Sequence, residues 1–281
     1  MAQLAVATST LASRSLAGEQ LSDYQHIYLS PHLDDVPLSC GGQVAAQVAA
    51  GERVLVVTVC SCTPAPDLPR TPFAARMEAQ WQADGGNDAA AIYAVRHAEE
   101  QRALRVLGAD HRWLDYLDAI YRRSEYASDA ALFGSLVAAD YAEVVIPLAH
   151  QLGELAAEFP TAAFYCPLAL GFHVDHQLAH LAGRSLVGQR RVAFYEDFPY
   201  AGVAGAMARR QTTLDLSLQA QLVEIGGSLS RKSDSIAQYT SQLGILFGGE
   251  AAMRQAVAAY AGTVAGGSGA AERYWWADHA V

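Results

Sequence analysis

The stretch HIYLSPHLDDVPLSCGGQVAAQVAAGERVLVVTVC, residues 26–60, decides the fold of this chain. Residues 26–30 are predicted to form a short strand. Residues 38–50 are rich in Ala and Gln and are followed by Gly51, a pattern that predicts a helix closed by a glycine. Residues 54–60 are apolar and β-branched without alternation, which is typical of a parallel strand covered on both faces. The unit predicts two parallel strands joined by a right-handed crossover.

The alternation of strands and helices continues along the chain. We predict further helices over residues 92–107, 130–140, 153–159 and 176–187, and further strands over residues 112–117, 143–147, 162–166 and 191–195. Strands that alternate with helices form a parallel sheet with helices on both faces. The chain is therefore predicted to be an α/β protein, a single Rossmann-like three-layer domain over residues 23–281 with a mostly parallel sheet.

Three regions depart from this alternation. Residues 1–22 are predicted to be a loosely ordered extension, because they lack the basic start and the continuous apolar run of a signal peptide. Residues 63–90 are Pro-rich and then helical in parts, and we interpret them as an insertion over one end of the sheet. After residue 201 we predict a helix over residues 232–243 and an aromatic end, residues 274–278, that packs back on the body.

Composition excludes several classes of protein. With 52% hydrophobic residues among 281, the chain is too apolar to be disordered, and its net charge of −10 argues against a non-specific nucleic-acid binder. No apolar run approaches the ~18 residues of a membrane span. Four cysteines in a chain this long do not form a disulfide framework, so we expect reduced thiols and a cytoplasmic protein.

The first candidate site follows the first predicted strand, where His32, Asp34 and Asp35 share one short loop. Ligands of open α/β sheets bind at the carboxyl ends of strands, so a site is expected here. One carboxylate can join the imidazole on a metal ion while its neighbour faces the pocket. The alternative is that the two acids merely cap the next helix, where negative charge is favourable. The loop alone does not separate these interpretations.

The second cluster, His173, Asp175 and His176, follows the predicted strand 162–166 and opens a helix. It therefore also lies at the carboxyl end of a strand. Together the two clusters offer nitrogen and oxygen ligands that suit Zn²⁺, with three protein ligands and an open position for water. His180 lies one helical turn beyond His176, so a His176/His180 pair is a rival choice of ligands.

Both clusters resemble those of the LmbE/PIG-L family of zinc-dependent de-N-acetylases, which act on amino sugars of the N-acetylglucosamine type. In that family the first strand ends in a His-Pro-Asp-Asp loop, and a later His-x-Asp-His closes the site. Shorter matches follow in family order, namely Arg96-x-x-Glu99, Tyr116-Leu-Asp118, Tyr195-Glu-Asp197 and a helix pattern from Lys232 to Gln242. Leu33 replaces the usual Pro, and with Pro-Leu-Ala-Leu-Gly at residues 167–171 this version resembles the branch of antibiotic-glycoside deacetylases.

The resemblance implies an enzyme that removes an N-acetyl or N-acyl group from a small amino sugar or glycoside, with one Zn²⁺ per chain and no nucleic-acid partner. It implies these roles: His32, Asp35 and His176 hold the metal, Asp34 is the general base, His173 held by Asp175 donates to the oxyanion as a protonated imidazole, and Arg96 and Asp118 bind substrate.

Several alternatives stay open. The metal site can serve hydrolysis of an ester or phosphoester instead, or the chain can be a sugar-binding homologue without activity. Arg96 and Glu99 can form a plain surface ion pair, and Asp118 can be a turn residue. Glu196 and Asp197 can lie beside the site or only begin a loop. A homo-oligomer is also possible, because the aromatic end can pack within the chain or against a partner.

Overall fold

The computed structural model describes residues 24–81 and 88–278. Seven strands form one sheet in the order β3-β2-β1-β4-β5-β7-β6. The strands are β1 (His26–Ser30), β2 (Val54–Thr58), β3 (Asp110–Trp113), β4 (Ala163–Pro167), β5 (Val192–Tyr195), β6 (Leu218–Glu224) and β7 (Ala271–Ala277). The first five are parallel, whereas β7 runs antiparallel to β5 and to β6. The predicted α/β fold with a mostly parallel sheet is confirmed. The extension proposed for residues 1–22 lies outside the described residues.

Helices cover both faces of the sheet. They are α1 (Asp35–Ala49), α2 (Pro72–Trp81), α3 (Ala89–Leu107), α4 (Ala119–Arg122), α5 (Asp129–Leu132), α6 (Ala138–Asp140), α7 (Ile146–Glu158), α8 (Val174–Arg184), α9 (Ala206–Gln211), α10 (Leu229–Ile236), α11 (Thr240–Phe247) and α12 (Glu250–Val264). In the part of the chain that the structure describes, none of them has the length and apolarity needed to cross a membrane.

The core has two layers, one on each face of the sheet. Because successive side chains of a strand point to opposite faces, Ile27 and Leu29 of β1 pack with α7 and α8, whereas Tyr28 packs with α1 and α3. All five residues of β2 are buried. Burial on both faces explains why this strand has no alternating pattern in the sequence.

The predicted strand at residues 143–147 is wrong. A π-helical turn (Tyr141–Val145) runs directly into α7 there. Val144, Val145 and Leu148 are buried at helical spacing, while the residues between them are exposed. The short β-branched run favoured a strand, but an apolar stripe that continues to Leu152 is buried better by a helix. Pro147 is tolerated because it lies in the first turn of α7.

The C-terminal part also differs from expectation. The helix predicted over residues 232–243 is two helices, α10 and α11, separated by residues 237–239. Residues 274–277 belong to β7, which lies in the central sheet between β5 and β6. No strand was predicted after residues 191–195, so β6 and β7 were both missed. Their antiparallel pairing needs no crossover helix, and the strand–helix alternation therefore gave no signal for them.

A buried ion pair fixes the helix that begins at the candidate site. Lys232 Nζ lies 2.7 Å from Glu272 Oε1 and 3.1 Å from the carbonyl oxygen of Ser39 in α1. The same carboxylate accepts hydrogen bonds from the backbone N–H groups of Gly42 and Gln43. Breaking such a pair on one side leaves a buried charge uncompensated. The pair therefore connects α1 with α10 and β7 behind the site.

A second buried carboxyl, that of Glu100 in α3, lies against the sheet. Thr58 Oγ1 and Trp113 Nε1 lie 2.7 Å and 2.6 Å from its two oxygens. Burial is the main cause that raises the pKa of Glu100 to about 8. The group is therefore neutral in the folded protein at pH 7 and ionised in the unfolded chain, whose Glu pKa is ~4.3.

Glu100→Gln is expected to change how stability depends on pH. The pKa of Glu100 is higher in the folded protein than in the unfolded chain. The neutral carboxyl therefore contributes its full stabilisation below pH ~4.3, and this stabilisation is lost as the pH rises to about 8. Relative to the variant, the wild-type free energy of unfolding should fall by ~1.4 kcal/mol per pH unit within this window. Urea unfolding at pH 5, 6.5 and 8 measures it, with the exposed Glu154→Gln as control. A constant difference would mean that Glu100 is ionised when folded.

Candidate active site

A cavity of about 240 Å³ opens at the carboxyl ends of β1, β3 and β4. Its floor is polar and is formed by side chains from four separate parts of the sequence. These are His32, Asp34, Asp35, Arg96, Asp118 and His173. All six are largely buried, and each follows a strand or lies on α3. The structure thus brings the two predicted clusters and both predicted substrate-binding residues to one place.

Two imidazole nitrogens lie beside one carboxylate oxygen, which gives three potential metal ligands. Oδ2 of Asp35 lies 3.3 Å from Nδ1 of His32 and 3.3 Å from Nε2 of His176. Two donors bound at 2.0–2.2 Å to one tetrahedral cation are separated by about 3.3 Å. The spacing of these donors therefore fits a single ion.

The other nitrogen of each imidazole is held by a carboxylate. Asp197 Oδ1 lies 2.6 Å from Nδ1 of His176, and Asp175 Oδ2 lies 3.0 Å from Nε2 of His32. These contacts place the proton on the nitrogen that faces the acid, which leaves the opposite nitrogen free to bind a cation. Nε2 of His176 is buried and has no hydrogen-bond partner among the described residues. Such an orphaned acceptor is the feature that a bound cation would satisfy.

The rival ligand His180 faces elsewhere. Its Nδ1 lies 2.9 Å from the carbonyl oxygen of Pro167, and its ring packs against Phe194. Two groups of described side chains lie close enough together to hold a metal ion, and His180 belongs to neither. Asp35 is also outside both groups, but it lies 3.3 Å from His32 and 3.3 Å from His176. One such group is His32, His173 and His176, which shares two members with the set described above.

A second possible group combines His32 with Cys60 and Asp175. Burial raises the pKa of the Cys60 thiol well above its usual range, so the thiolate that a metal requires is disfavoured. Asp175 is already bound to Arg122 Nη2 at 2.8 Å and to the backbone N–H of Ala119 at 3.0 Å. This group is the poorer choice of ligands.

Asp175 reaches His173 through its backbone more closely than through the carboxylate that we expected to hold the ring. The Asp175 carboxylate contacts His32 and Arg122, and it lies 4.0 Å from Nδ1 of His173. What reaches His173 is the backbone N–H of Asp175, which donates to Nδ1 at 3.2 Å. Burial, with the charge of nearby His32 second, lowers the pKa of His173 to about 3. This lowered pKa favours the neutral imidazole over the protonated one that we expected.

Asp34 is a carboxyl group with few partners. It occupies the position before the first turn of α1, yet its side chain makes no capping hydrogen bond to the described backbone. Arg96 Nη2 lies 3.8 Å from its Oδ2. Burial first, and then the charge of Asp35, raise the pKa of Asp34 to about 7. The helix-cap interpretation is thus not supported for this side chain, which lines the cavity.

The two predicted substrate contacts are both in the cavity. Arg96 is 5% exposed, and its Nε has no partner within the described ranges. It is not a surface ion pair with Glu99, because Glu99 is buried and accepts hydrogen bonds from Thr240 and Ser241 instead. Asp118 has two roles at once: its Oδ1 accepts the backbone N–H of Ile120, and its Oδ2 lies 3.6 Å from Nε2 of His32.

Comparison with known proteins identifies the family. Residues 27–187, more than half of the chain, match the PIG-L family, which is described as GlcNAc-PI de-N-acetylase. The chain belongs to the PIG-L family. Both predicted clusters of this PIG-L chain, at residues 32–35 and 173–176, lie inside the matched region.

Proteins similar to this PIG-L chain include several deacetylases. The 2'-N-acetylparomamine deacetylase of Streptomyces fradiae is 32% identical over 233 residues, which are 80% of this chain and 75% of that protein. The zinc-inhibited form of teicoplanin deacetylase Orf2 superposes with a TM-score of 0.75 and 26% identity, covering 90% of this chain and 97% of that one. The A40926 pseudoaglycone deacetylase Dbv21 superposes with a TM-score of 0.71 and 26% identity over 92% and 99% of the two chains.

Two residues at this PIG-L site were missed or left undecided by the sequence. Asp197 contacts His176, whereas its neighbour Glu196 is bound by Tyr260 and by two residues of β7. Asp197 follows the end of β5, and that position was a usable signal. Arg122 donates a hydrogen bond to Asp175 Oδ1 at 2.8 Å. Nothing in the sequence around Arg122 distinguishes this residue from an exposed arginine.

Proposed function

We propose that this PIG-L protein is a zinc-dependent de-N-acetylase of an amino sugar or glycoside. The observation that carries the proposal is the convergence of His32 Nδ1 and His176 Nε2 on Asp35 Oδ2, beside a nearly unpartnered Asp34. The names of the relatives support the reaction class, because they are deacetylases.

His32, Asp35 and His176 are the proposed ligands of one Zn²⁺ per chain. Four carboxylates, those of Asp34, Asp35, Asp118 and Asp175, lie near His32. Within the described ranges, the guanidinium groups of Arg96 and Arg122 oppose their charge. A divalent cation would offset this excess of negative charge. When bound, Zn²⁺ supplies a Lewis acid for the amide carbonyl and lowers the pKa of water towards ~7.

Asp34 is the proposed general base. Its carboxylate takes the proton of the attacking water and later returns a proton to the nitrogen of the departing amino sugar. A pKa of about 7 makes this group a stronger base than an ordinary Asp, whose pKa is ~3.9. Arg96 Nη2 at 3.8 Å faces the same carboxylate.

His173 is proposed to stabilise the developing oxyanion as a neutral donor. Because the backbone N–H of Asp175 donates to Nδ1, the ring proton is on Nε2. An oxyanion requires a hydrogen-bond donor, and a neutral imidazole can donate this N–H without first being protonated. Arg96 and Asp118 are proposed to bind substrate hydroxyl groups, and the partnerless Nε of Arg96 offers one such donor.

The first test is amine release from N-acetylated amino sugars, with and without zinc. We expect the protein to deacetylate an N-acetylglucosamine glycoside or 2'-N-acetylparomamine, to lose this activity when a chelator removes metal, and to regain it with added Zn²⁺. A fluorogenic amine assay measures the product. Release of phosphate or alcohol from ester substrates, with no amine release from any amide, would contradict the proposal.

A further inference from the structure

The mouth of the cavity is apolar, although its floor is polar. We define the apolar mouth as Trp81, Leu132, Phe133, Ile245 and Leu246, all of which line the cavity. Phe133, Ile245 and Leu246 are 41%, 44% and 37% exposed. Eight large hydrophobic side chains are exposed among the described residues, and three of them lie at this opening. Single exposed apolar residues are ordinary, but a cluster around a cavity is typical of a ligand-binding surface.

We infer that the apolar mouth binds an aromatic or alkyl aglycone of the substrate, an inference that rests on the proposed deacetylase function. The reacting amide must reach Asp35 at the closed, buried floor, so the small acetyl group enters first. The sugar follows, and its remaining substituents then face the mouth. An apolar substituent there would cover Phe133 and Ile245, which otherwise expose their side chains to water.

One wall of the apolar mouth is held in place before any ligand binds. Ile245 and Leu246 lie on α11, and the first turn of this helix is fixed to α3 by Glu99. The Glu99 carboxylate accepts the backbone N–H of Ser241 at 2.8 Å and its hydroxyl at 2.6 Å. Because this wall is already ordered, little binding free energy is lost in ordering its side chains when a ligand binds. Contact with the aglycone should therefore appear directly as tighter binding.

The charges around the mouth favour an apolar aglycone over a polycationic one. Asp129 is the exposed carboxylate that lines the cavity, and it already faces Arg76 Nη2 at 3.9 Å. The other lining carboxylates, those of Asp34, Asp35 and Asp118, are buried at the floor. A second ring with several ammonium groups would thus meet more hydrocarbon than negative charge.

Paired glycosides of N-acetylglucosamine test this subsite. We expect kcat/KM for the phenyl glycoside to exceed that for the methyl glycoside by at least about tenfold, mainly through a lower KM. Phe133→Ser and Ile245→Ser should each remove most of this preference, measured within each variant as the ratio of kcat/KM for the two glycosides, so that a general loss of activity does not affect the comparison. Ile146→Ser is the matched control, because Ile146 is 56% exposed and lies outside the cavity.

Each other outcome has a definite meaning. Equal rates with the two glycosides would overturn the inference while leaving the proposed deacetylase function intact. A third substrate is the methyl glycoside with N-octanoyl in place of N-acetyl. If this substrate alone were preferred, the mouth would bind the acyl chain, and the inference of an aglycone subsite would be overturned. If no glycoside is hydrolysed, the proposed function fails. Calorimetric binding of the two amine products then still tests the mouth, and equal affinities would overturn it.

Discussion

Replacing Asp34 by Asn is expected to reduce kcat by about 10²- to 10⁴-fold while the protein keeps its zinc. Asn has the same size and still fills the position beside Arg96, but it cannot take a proton from water. The proposed ligands His32, Asp35 and His176 are unchanged, so the metal content of the purified variant should match that of wild type. Amine release gives kcat, and elemental analysis gives zinc per chain.

Asp129→Asn is the matched control for this variant. Asp129 lines the same cavity and the substitution is the same, but its carboxylate is exposed at the rim and far less buried than that of Asp34. We expect a change of less than about threefold in kcat for this control. If Asp34→Asn turned over substrate at the wild-type rate, Asp34 would not be the base. If it lost zinc, Asp34 would belong to the ligand set.

The floor of the site was predictable because strand ends are visible in a sequence. Residue types that bind metals stand immediately after two apolar stretches, at positions 32–35 and 173–176, and parallel strands bring their carboxyl ends to one edge. Topology therefore converts two distant motifs into one cluster without knowledge of side-chain directions. Position along a strand was enough to place His32 and His176 together.

Side-chain partners were not predictable in the same way. Asp175 is two residues from His173 in the sequence, yet its carboxylate binds His32, which is 143 positions away. Spacing along the chain indicates which residues are near each other but not which way each side chain points at a helix start. The lowered pKa of His173 was not predictable either, because burial, its largest cause, outweighs the charge of Asp175 that we expected to favour protonation.

The mouth and the C-terminal strands were hidden for different reasons. Phe133, Ile245 and Leu246 come from segments separated by more than a hundred positions, and each alone is an unremarkable apolar residue in the sequence. β7 pairs antiparallel with β5 and β6 and lies between them. Antiparallel pairing needs no crossover helix, so the sequence pattern does not indicate this strand. These features depend on how distant segments meet, and local patterns carry no information about that.

The rearranged role of Asp175 leads to a sharp expectation for Asp175→Asn. If this carboxylate orients His32, its loss should weaken zinc binding by about 10- to 100-fold, because an amide cannot fix the proton of His32 on Nε2 as a carboxylate does. A role confined to His173 would instead lower kcat with unchanged zinc affinity. Competition with a chromophoric chelator measures the affinity. The variant should also be less stable, since buried Arg122 loses a charged partner at 2.8 Å.

Asp140→Asn separates the effect on zinc from the effect on stability. Asp140 accepts hydrogen bonds from Arg122 and is buried, so its substitution disturbs the same guanidinium from the other side. Within the described residues, its carboxylate contacts Arg122, Arg123 and Tyr126 and does not contact His32. We therefore expect urea unfolding to show destabilisation in both variants and zinc affinity to fall only in Asp175→Asn. Equal zinc affinities in the two variants would show that the contact between Asp175 and His32 does not orient His32 for the metal.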